Sequence, residues 1–150
     1  MIEIVPATMA HARAIRLRPG DAREIAALGY TQEEGIGRSV ARSLWADAYL
    51  ADGEVAAIAG LCLPSLLGPI ASLWLVTGTP VDRHRKEFLR LTRQRVAEVR
   101  KDWPVLVDYV HADYAEALRW LQWLGFTIAE PQPYGRLGVL FCRASIGESA

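Results

Sequence analysis

The segment VHADYAEALRWLQWLGF, residues 110–126, carries the pattern that decides the fold. Its first residue ends an apolar run, residues 105–110, that is typical of a strand. Gly125 stands where helices often end in a left-handed turn, and Phe126 begins another strand. Between them the segment predicts an amphipathic helix over residues 115–124, whose inward face carries Ala117, Leu118, Leu121 and Leu124. Strand, helix and strand are therefore expected in succession.

Upstream of this segment lies the clearest helix of the chain, predicted over residues 84–101. One face carries Phe88, Leu89, Thr92, Val96 and Val99, and the opposite face carries Lys86, Arg90, Arg93, Arg100 and Lys101. An apolar strand over residues 70–76 precedes it, so the helix is predicted to connect two parallel strands. Asp52-Gly53, between strands 46–51 and 54–63, favours a type I′ hairpin because both residues accept positive φ angles.

The first third of the chain predicts one strand and two or three short helices. Thr8 and Asp21 are each expected to cap a helix, and Thr31 with Glu34 has the spacing of a capping box. The whole chain, residues 1–150, is predicted to be a single domain of the α/β (α+β) class. Its expected order is β-α-α-β-β-β-α-β-α-β-β, a mixed sheet of about 6–7 strands flanked by about four helices.

Composition excludes several classes of protein. The chain has 150 residues, 51% of them hydrophobic and 23% charged, as globular domains have. Its formal net charge of +0 gives no general case for nucleic-acid binding, although eight of its 17 Lys and Arg lie between Arg83 and Lys101. We interpret that basic face as solvated. Neither a membrane span nor a signal peptide is expected, which predicts a cytoplasmic protein.

The cysteines predict neither a disulfide nor a metal site. Cys62 and Cys142 each lie in an apolar run and are expected to be buried free thiols. The sequence has no C-x-x-C pair and no dense cluster of Cys and His, so no metal is expected.

The element order and residues 110–126 together resemble the GNAT superfamily of N-acetyltransferases. Within that segment Ala117, Trp120, Leu124, Gly125 and Phe126 fit the late motif of the superfamily. Tyr114 stands where an Asn is usual, and Leu121 stands where many members carry a Tyr that can protonate the thiolate of coenzyme A. The resemblance implies acetyl-CoA as cofactor and direct transfer to a small-molecule or peptide amine, whose identity the sequence does not give.

The cofactor loop departs from the superfamily pattern. Members carry an Arg/Gln-x-x-Gly-x-Gly/Ala turn, whose open backbone and helix start hold the pyrophosphate. The corresponding residues 77–88 lack the paired glycines. The resemblance implies that backbone of Leu75, Val76 and Thr77 holds the pantetheine, with positive charge for the pyrophosphate coming from residues Arg83, His84, Arg85 and Lys86. Binding that depends on ordering long side chains is expected to be weak or lost.

His111 is the candidate catalytic base that the residues suggest. It ends the strand predicted over residues 105–110, near Asp108 and Asp113, and an unperturbed imidazole titrates close to neutral pH. Strand alternation, however, puts His111 and Asp113 on one face and Asp108 on the other. The strand over residues 70–76 carries no acid.

A second hypothesis rests on residues 72–79 and 119–126, which resemble a GNAT-like group encoded by tailed bacteriophages and prophages. This resemblance implies a non-catalytic virion or host-interaction protein, with a virion or host protein as partner. The missing glycines and the missing Tyr favour it. The sequence leaves the enzyme and the non-catalytic protein both open.

Overall fold

A computed structural model describes residues 1–64 and 68–148, which form eight strands and five α-helices. The strands are β1 (Ile2–Pro6), β2 (Trp45–Ala51), β3 (Glu54–Cys62), β4 (Ile70–Thr77), β5 (Val105–His111), β6 (Thr127–Ile128), β7 (Gln132–Tyr134) and β8 (Val139–Ile146). The helices are α1 (Met9–Ala14), α2 (Pro19–Ala27), α3 (Gln32–Arg42), α4 (Arg85–Asp102) and α5 (Ala115–Leu124), with a 3₁₀ turn over Thr79–Arg83. None of these helices is long and apolar enough to cross a membrane.

All eight strands belong to one mixed sheet. Its order is β1-β2-β3-β4-β5-β8-β6, and β7 pairs with β8. The pairing of β4 with β5 is parallel, as the intervening helix α4 predicted, and the other pairings are antiparallel. The mixed α+β class is therefore confirmed.

Two details differ from the predicted order. Three helices, α1 to α3, lie between β1 and β2, within the two or three that the local signals predict but one more than the written order has. The short strand β7 was not predicted at all, because its central residue Pro133 has no N–H to donate and a strand of three residues shows no alternation.

The sheet is covered on both faces. Helices α1, α2 and α3 pack on one face, where Ala12, Ile25 and Ile36 share a core with Val55, Ile58 and Val76. Helices α4 and α5 pack on the other, where Val96, Val99 and Leu121 share a core with Leu61, Ala71, Leu106 and Val110. Because strand side chains alternate, β4 sends Val76 toward α1–α3 and Leu75 toward the α4 side.

Most of the local signals read from the sequence are confirmed. Asp52 and Gly53 have φ angles of 52° and 83°, and Gly125 ends α5 with a φ of 104°. Thr31 accepts a hydrogen bond from the Glu34 N–H, and the Glu34 carboxylate accepts one from the Thr31 N–H. Thr8 caps α1 in the same way, with His11 as its reciprocal partner.

The prediction that Asp21 caps a helix is wrong. Helix α2 starts earlier, with Arg18 at the N-cap and Pro19 at the first helical position. Pro19 suits that position because its ring fixes φ near the helical value. A backbone N–H there would have no acceptor within the helix, so proline loses no hydrogen bond. Asp21 therefore lies inside the first turn, and its carboxylate is directed to Thr77 at the end of β4.

Candidate functional site

The central feature of the site is a gap between β4 and β5. The two parallel strands pair only through Ile70 with Val105, Ala71 with Leu106 and Ser72 with Val107. Beyond these pairs β4 continues to Thr77 and β5 to His111, with no further register between them. The strands separate toward their carboxyl ends, where parallel strands of α/β sheets commonly bind ligands.

A cavity of about 330 Å³ occupies this gap and is lined by residues from both faces of the sheet. That volume lies in the range of small-molecule sites. The α2 side contributes Arg18, Asp21 and Glu24, the strands contribute Leu75, Thr77, Asp108 and Val110, and the opposite face contributes Val81, Arg85, Phe88, Leu89, Tyr114, Glu116, Ala117, Arg119, Trp120, Leu121 and Trp123. Four carboxylates line this cavity, those of Asp21, Glu24, Asp108 and Glu116.

Asp21 is the most fully bonded of these carboxylates. Its Oδ1 accepts from the Thr77 N–H at 3.1 Å, and its Oδ2 accepts from the Thr77 hydroxyl at 2.5 Å and from the Tyr114 hydroxyl at 2.8 Å. Burial raises the pKa of Asp21, and the hydrogen bonds from Thr77 and Tyr114 oppose that rise. Asp21 thus joins α2, β4 and the start of α5 at the cavity wall.

Glu24 and Asp108 accept fewer hydrogen bonds than Asp21. Glu24 Oε2 accepts from the backbone N–H of His111 at 3.0 Å, and Asp108 Oδ1 accepts from the N–H of its neighbour Tyr109 at 2.8 Å. Burial, and next the negative charge of Asp108, raise the pKa of Glu24 to about 8. Burial also raises the pKa of Asp108 to about 8. Carboxyl groups with such pKa values can exchange protons near neutral pH.

Apolar and aromatic side chains form the rest of the wall. Phe88 of α4 stacks on Trp120 of α5, with ring centroids 6.1 Å apart. The indole Nε1 of Trp120 is buried and has no hydrogen-bond partner within the described part of the chain. Buried donors are normally satisfied, so this unpartnered N–H is an exception on a residue that lines the cavity.

Charged side chains close one end of the cavity. Glu116, in the first turn of α5, forms ion pairs with Arg18 at the start of α2 and with Arg85 at the start of α4. Arg18 also lies 3.4 Å from Asp82 of the 3₁₀ turn. Three elements that border the gap are connected by this cluster.

The residues predicted to bind the cofactor are divided by the structure. Leu75, Thr77 and Arg85 line the cavity. Both backbone groups of Thr77 are already bonded within the protein: its N–H to Asp21 and its carbonyl to the Arg18 N–H at 3.0 Å. Val76 points to the opposite face and packs against α1–α3.

The other predicted cofactor residues lie outside the cavity lining. Arg83 is directed to Glu54, at 3.6 Å, and His84 lies 3.1 Å from Asp52 of the β2–β3 turn. Lys86 is exposed on the first turn of α4. Of the basic side chains predicted for the pyrophosphate, Arg85 alone borders the gap in the part of the chain that the structure describes.

His111, the candidate base, has its imidazole ring beside Phe141, with centroids 5.5 Å apart. It is not among the residues that line the cavity, whereas Asp108, on the other face of β5, is. The alternation expected from the sequence separates the two side chains in this way. His111 contributes its backbone N–H, which holds Glu24.

Sequence reasoning missed Arg18, Asp21, Glu24 and Glu116 as site residues. A signal was present for two of them, because residues 21 and 24 are spaced by three and so share one face of a helix. Two carboxylates on the face that also carries Ile25 indicate a helix that buries charge. The position of Glu116 opposite two arginines depends on tertiary structure.

No protein-family model and no curated protein sequence matches the chain. Solved structures do match: an acetyltransferase from Bacillus subtilis in complex with CoA has a TM-score of 0.67 at 10% identity, over 99% of this chain and 98% of that one. A Staphylococcus aureus N-acetyltransferase has a TM-score of 0.62 at 15% identity, over 97% and 96%. A ribosomal-protein-alanine N-acetyltransferase from Brucella melitensis has 0.63 at 15%, over 99% of each chain. The chain therefore has the fold of the GNAT N-acetyltransferases.

Proposed function

We propose that the chain is an acyl-CoA-dependent N-acetyltransferase that transfers an acetyl group directly to a small-molecule or peptide amine. The observation that carries the proposal is the cavity in the β4–β5 gap, with Glu24 and Asp108 in its wall. The likeness to a structure in complex with CoA supports the choice of cofactor. Acetyl-CoA, when bound, supplies the thioester carbonyl at which the amine is acylated.

The residues of the gap fit such a cofactor through side chains more than through open backbone. Arg18 and Arg85 offer guanidinium groups that pair well with phosphate oxygens. The unpartnered Trp120 N–H can donate to an amide or acyl oxygen in the cavity. Gly78, by contrast, serves packing: a Cβ there would lie 2.9 Å from the Val55 carbonyl oxygen.

Glu24 is the group that we assign to proton transfer. Oε2 is held by the His111 N–H, and Oε1 accepts no hydrogen bond from the residues that the structure describes. An amine acceptor arrives mostly as an ammonium ion and must lose a proton before it can attack. A Glu24 carboxylate with a pKa of about 8 is a stronger base than an ordinary carboxylate, and the apolar side chains of Phe88 and Trp120 line the same cavity.

One observation favours the non-catalytic alternative, a GNAT-fold virion or host-interaction protein. Groups that would meet a cofactor are engaged by the protein itself, since Asp21 takes the Thr77 N–H and Glu116 takes Arg18 and Arg85. If a ligand does not replace these hydrogen bonds and ion pairs, they serve only to hold the surrounding helices and strands together. The two functions therefore differ in whether coenzyme A enters the gap.

A thermal melt with millimolar acetyl-CoA, paired with an assay for the released CoA thiol in the presence of primary amines, tests the proposal. Ligand at about 100 times its Kd stabilises a fold by about 2.7 kcal/mol, a shift of roughly 5–10 °C for a domain of this size. Arg85→Ala should remove the shift, and Arg83→Ala should keep it, because Arg83 faces Glu54 outside the cavity. A wild-type chain with neither shift nor thiol release would favour the non-catalytic protein.

A further inference from the structure

One carboxylate oxygen, Oε1 of Glu116, is shared by two guanidinium groups. Arg18 Nη2 donates to it at 2.7 Å, and Arg85 Nη2 donates to the same atom. The three side chains come from α2, α4 and α5, so they converge across the end of the gap. Two arginines that converge on one oxygen form an anion site, here filled by an anion of the chain itself.

Arg18 is held in place before any ligand binds. Its backbone N–H donates to the Thr77 carbonyl at 3.0 Å, and Pro19 fixes the chain that follows it. Its side chain is 16% exposed, against 52% for Arg85. A ligand that meets Arg18 therefore pays little of the entropy that ordering a free arginine would cost.

Glu116 is suited to leave this site. Its side chain is 41% exposed and sits in the first turn of α5, so it can rotate into solvent without disturbing the helix. The hydrogen bond from Arg18, and next that from Arg85, lower the pKa of Glu116, so it is ionised at neutral pH. Glu116 and Arg85 are both partly exposed, and an exposed ion pair contributes only about 0–1 kcal/mol, so the hold of Arg85 on Glu116 is weak.

We propose that Arg18 and Arg85 form a binding site for a phosphate or pyrophosphate group, and that Glu116 is a built-in competitor which the phosphate displaces. Two guanidinium groups match the oxygens of a phosphate, which brings more charge than a carboxylate. Asp82 remains beside Arg18, so the empty pair is less positive than two free arginines. That the phosphate belongs to coenzyme A rests on the proposed function, whereas the exchange itself does not.

Calorimetric titration of the full chain with inorganic pyrophosphate, with coenzyme A and with pantetheine, which has no phosphate, tests this exchange. Glu116→Gln keeps the size of the side chain and removes its charge, so it should bind pyrophosphate and coenzyme A about tenfold more tightly than wild type, equivalent to about 1.4 kcal/mol. Pantetheine binding should not change. Glu33→Gln is the control, because it removes the charge of a glutamate that pairs with a single exposed arginine, Arg13, on another surface.

Removing either arginine should weaken pyrophosphate binding in wild type and cancel the gain in Glu116→Gln. The proposal is overturned if Glu116→Gln binds pyrophosphate no more tightly than wild type, or if pantetheine gains as much as pyrophosphate. A gain for pyrophosphate without binding of coenzyme A would support the anion site, assign it to free phosphates and count against the acetyltransferase. If Glu116→Gln leaves coenzyme A binding unchanged, Glu116 does not compete with the phosphate and this proposal is wrong. The proposed acetyltransferase function would not be contradicted by that result.

Discussion

The Tyr114 hydroxyl donates a hydrogen bond to Asp21 Oδ2 at 2.8 Å, and this contact joins α2 to the start of α5 across the end of β4. The Tyr114 ring also lies directly against Gly20, where a Cβ would be 2.3 Å from ring atom Cε1. The Tyr therefore fills space and satisfies a buried carboxylate at once. An Asn, which GNAT members usually carry at this position, would be too short to cover Gly20 in this way.

Tyr114→Phe should lower the free energy of unfolding by about 1–3 kcal/mol, because it keeps the ring and removes one donor from a buried carboxylate. Urea unfolding at neutral pH measures this change. Tyr30→Phe is the control, since the Tyr30 ring packs under Arg38 and Arg136 and its hydroxyl makes no hydrogen bond to the described residues. An equal loss in both variants would contradict the role given to the Asp21 contact.

The effect of Gly20→Ala on the free energy of unfolding should change sign with the identity of residue 114. In wild type the new methyl group meets the Tyr114 ring and should cost about 1–3 kcal/mol of stability. In a Tyr114→Ser background the clash is gone, and an alanine in a helix is then better than glycine by up to about 1 kcal/mol. A double-mutant cycle in urea measures the coupling, and additive effects would show that the ring is not held against Gly20.

The fold was predictable from the sequence because its signals are local. The Asp52-Gly53 turn, the Thr31 capping box and Gly125 each act through their own backbone angles and bonds, so each could be read from a few residues. Leu75 and Arg85, which line the cavity, were singled out by the resemblance, and both flank the connection between β4 and α4. Local sequence signals thus predicted the strands and helices that border the site.

The carboxylates of the site could not be placed from the sequence in the same way. Asp21 looks like a helix cap in sequence, and its real partners, Thr77 and Tyr114, are 56 and 93 residues away. Glu24 meets the His111 N–H over 87 residues. Such contacts depend on how α2 crosses the gap, which neither periodicity nor turn chemistry specifies.

Glu24→Gln should make stability less dependent on pH. Because the folded-state pKa of Glu24 is about 8 and its ordinary value is 4.5, the folded chain binds this proton more tightly than the unfolded chain. That contribution is fully present below pH 4.5 and is lost as the pH rises to about 8. A glutamine side chain cannot ionise, so the variant should lose less stability than wild type in urea titrations from about pH 5 to about pH 8.5. Glu33→Gln, at an exposed site, should follow the wild-type profile.

Cys62 and Cys142 should be two free thiols of unequal reactivity. Both are unpaired in the structure; Cys142 is buried and Cys62 is partly exposed, with Ser43 Oγ 3.3 Å from its sulfur. Burial also raises the pKa of Cys142, which lowers its thiolate fraction. Labelling without reductant should count two thiols per chain after denaturation and only the faster Cys62 in native protein. A count of zero would show a disulfide.

Asp108→Asn should move the pH profile of the proposed acetyl transfer to lower pH. Asp108 titrates in the same range as Glu24, and where it is ionised its negative charge raises the pKa of Glu24, so its removal makes Glu24 easier to ionise. Release of CoA thiol, followed from about pH 6 to about pH 9.5, should rise toward pH 8 in wild type and reach half its maximum at a lower pH in Asp108→Asn.

Glu24→Gln should lower kcat/KM by about 10²- to 10⁴-fold. The control Asp113→Asn, at an exposed position in the turn after β5, should leave the profile unchanged. If Asp108→Asn abolished transfer while Glu24→Gln kept it, the base would be Asp108 and the assignment to Glu24 would be wrong.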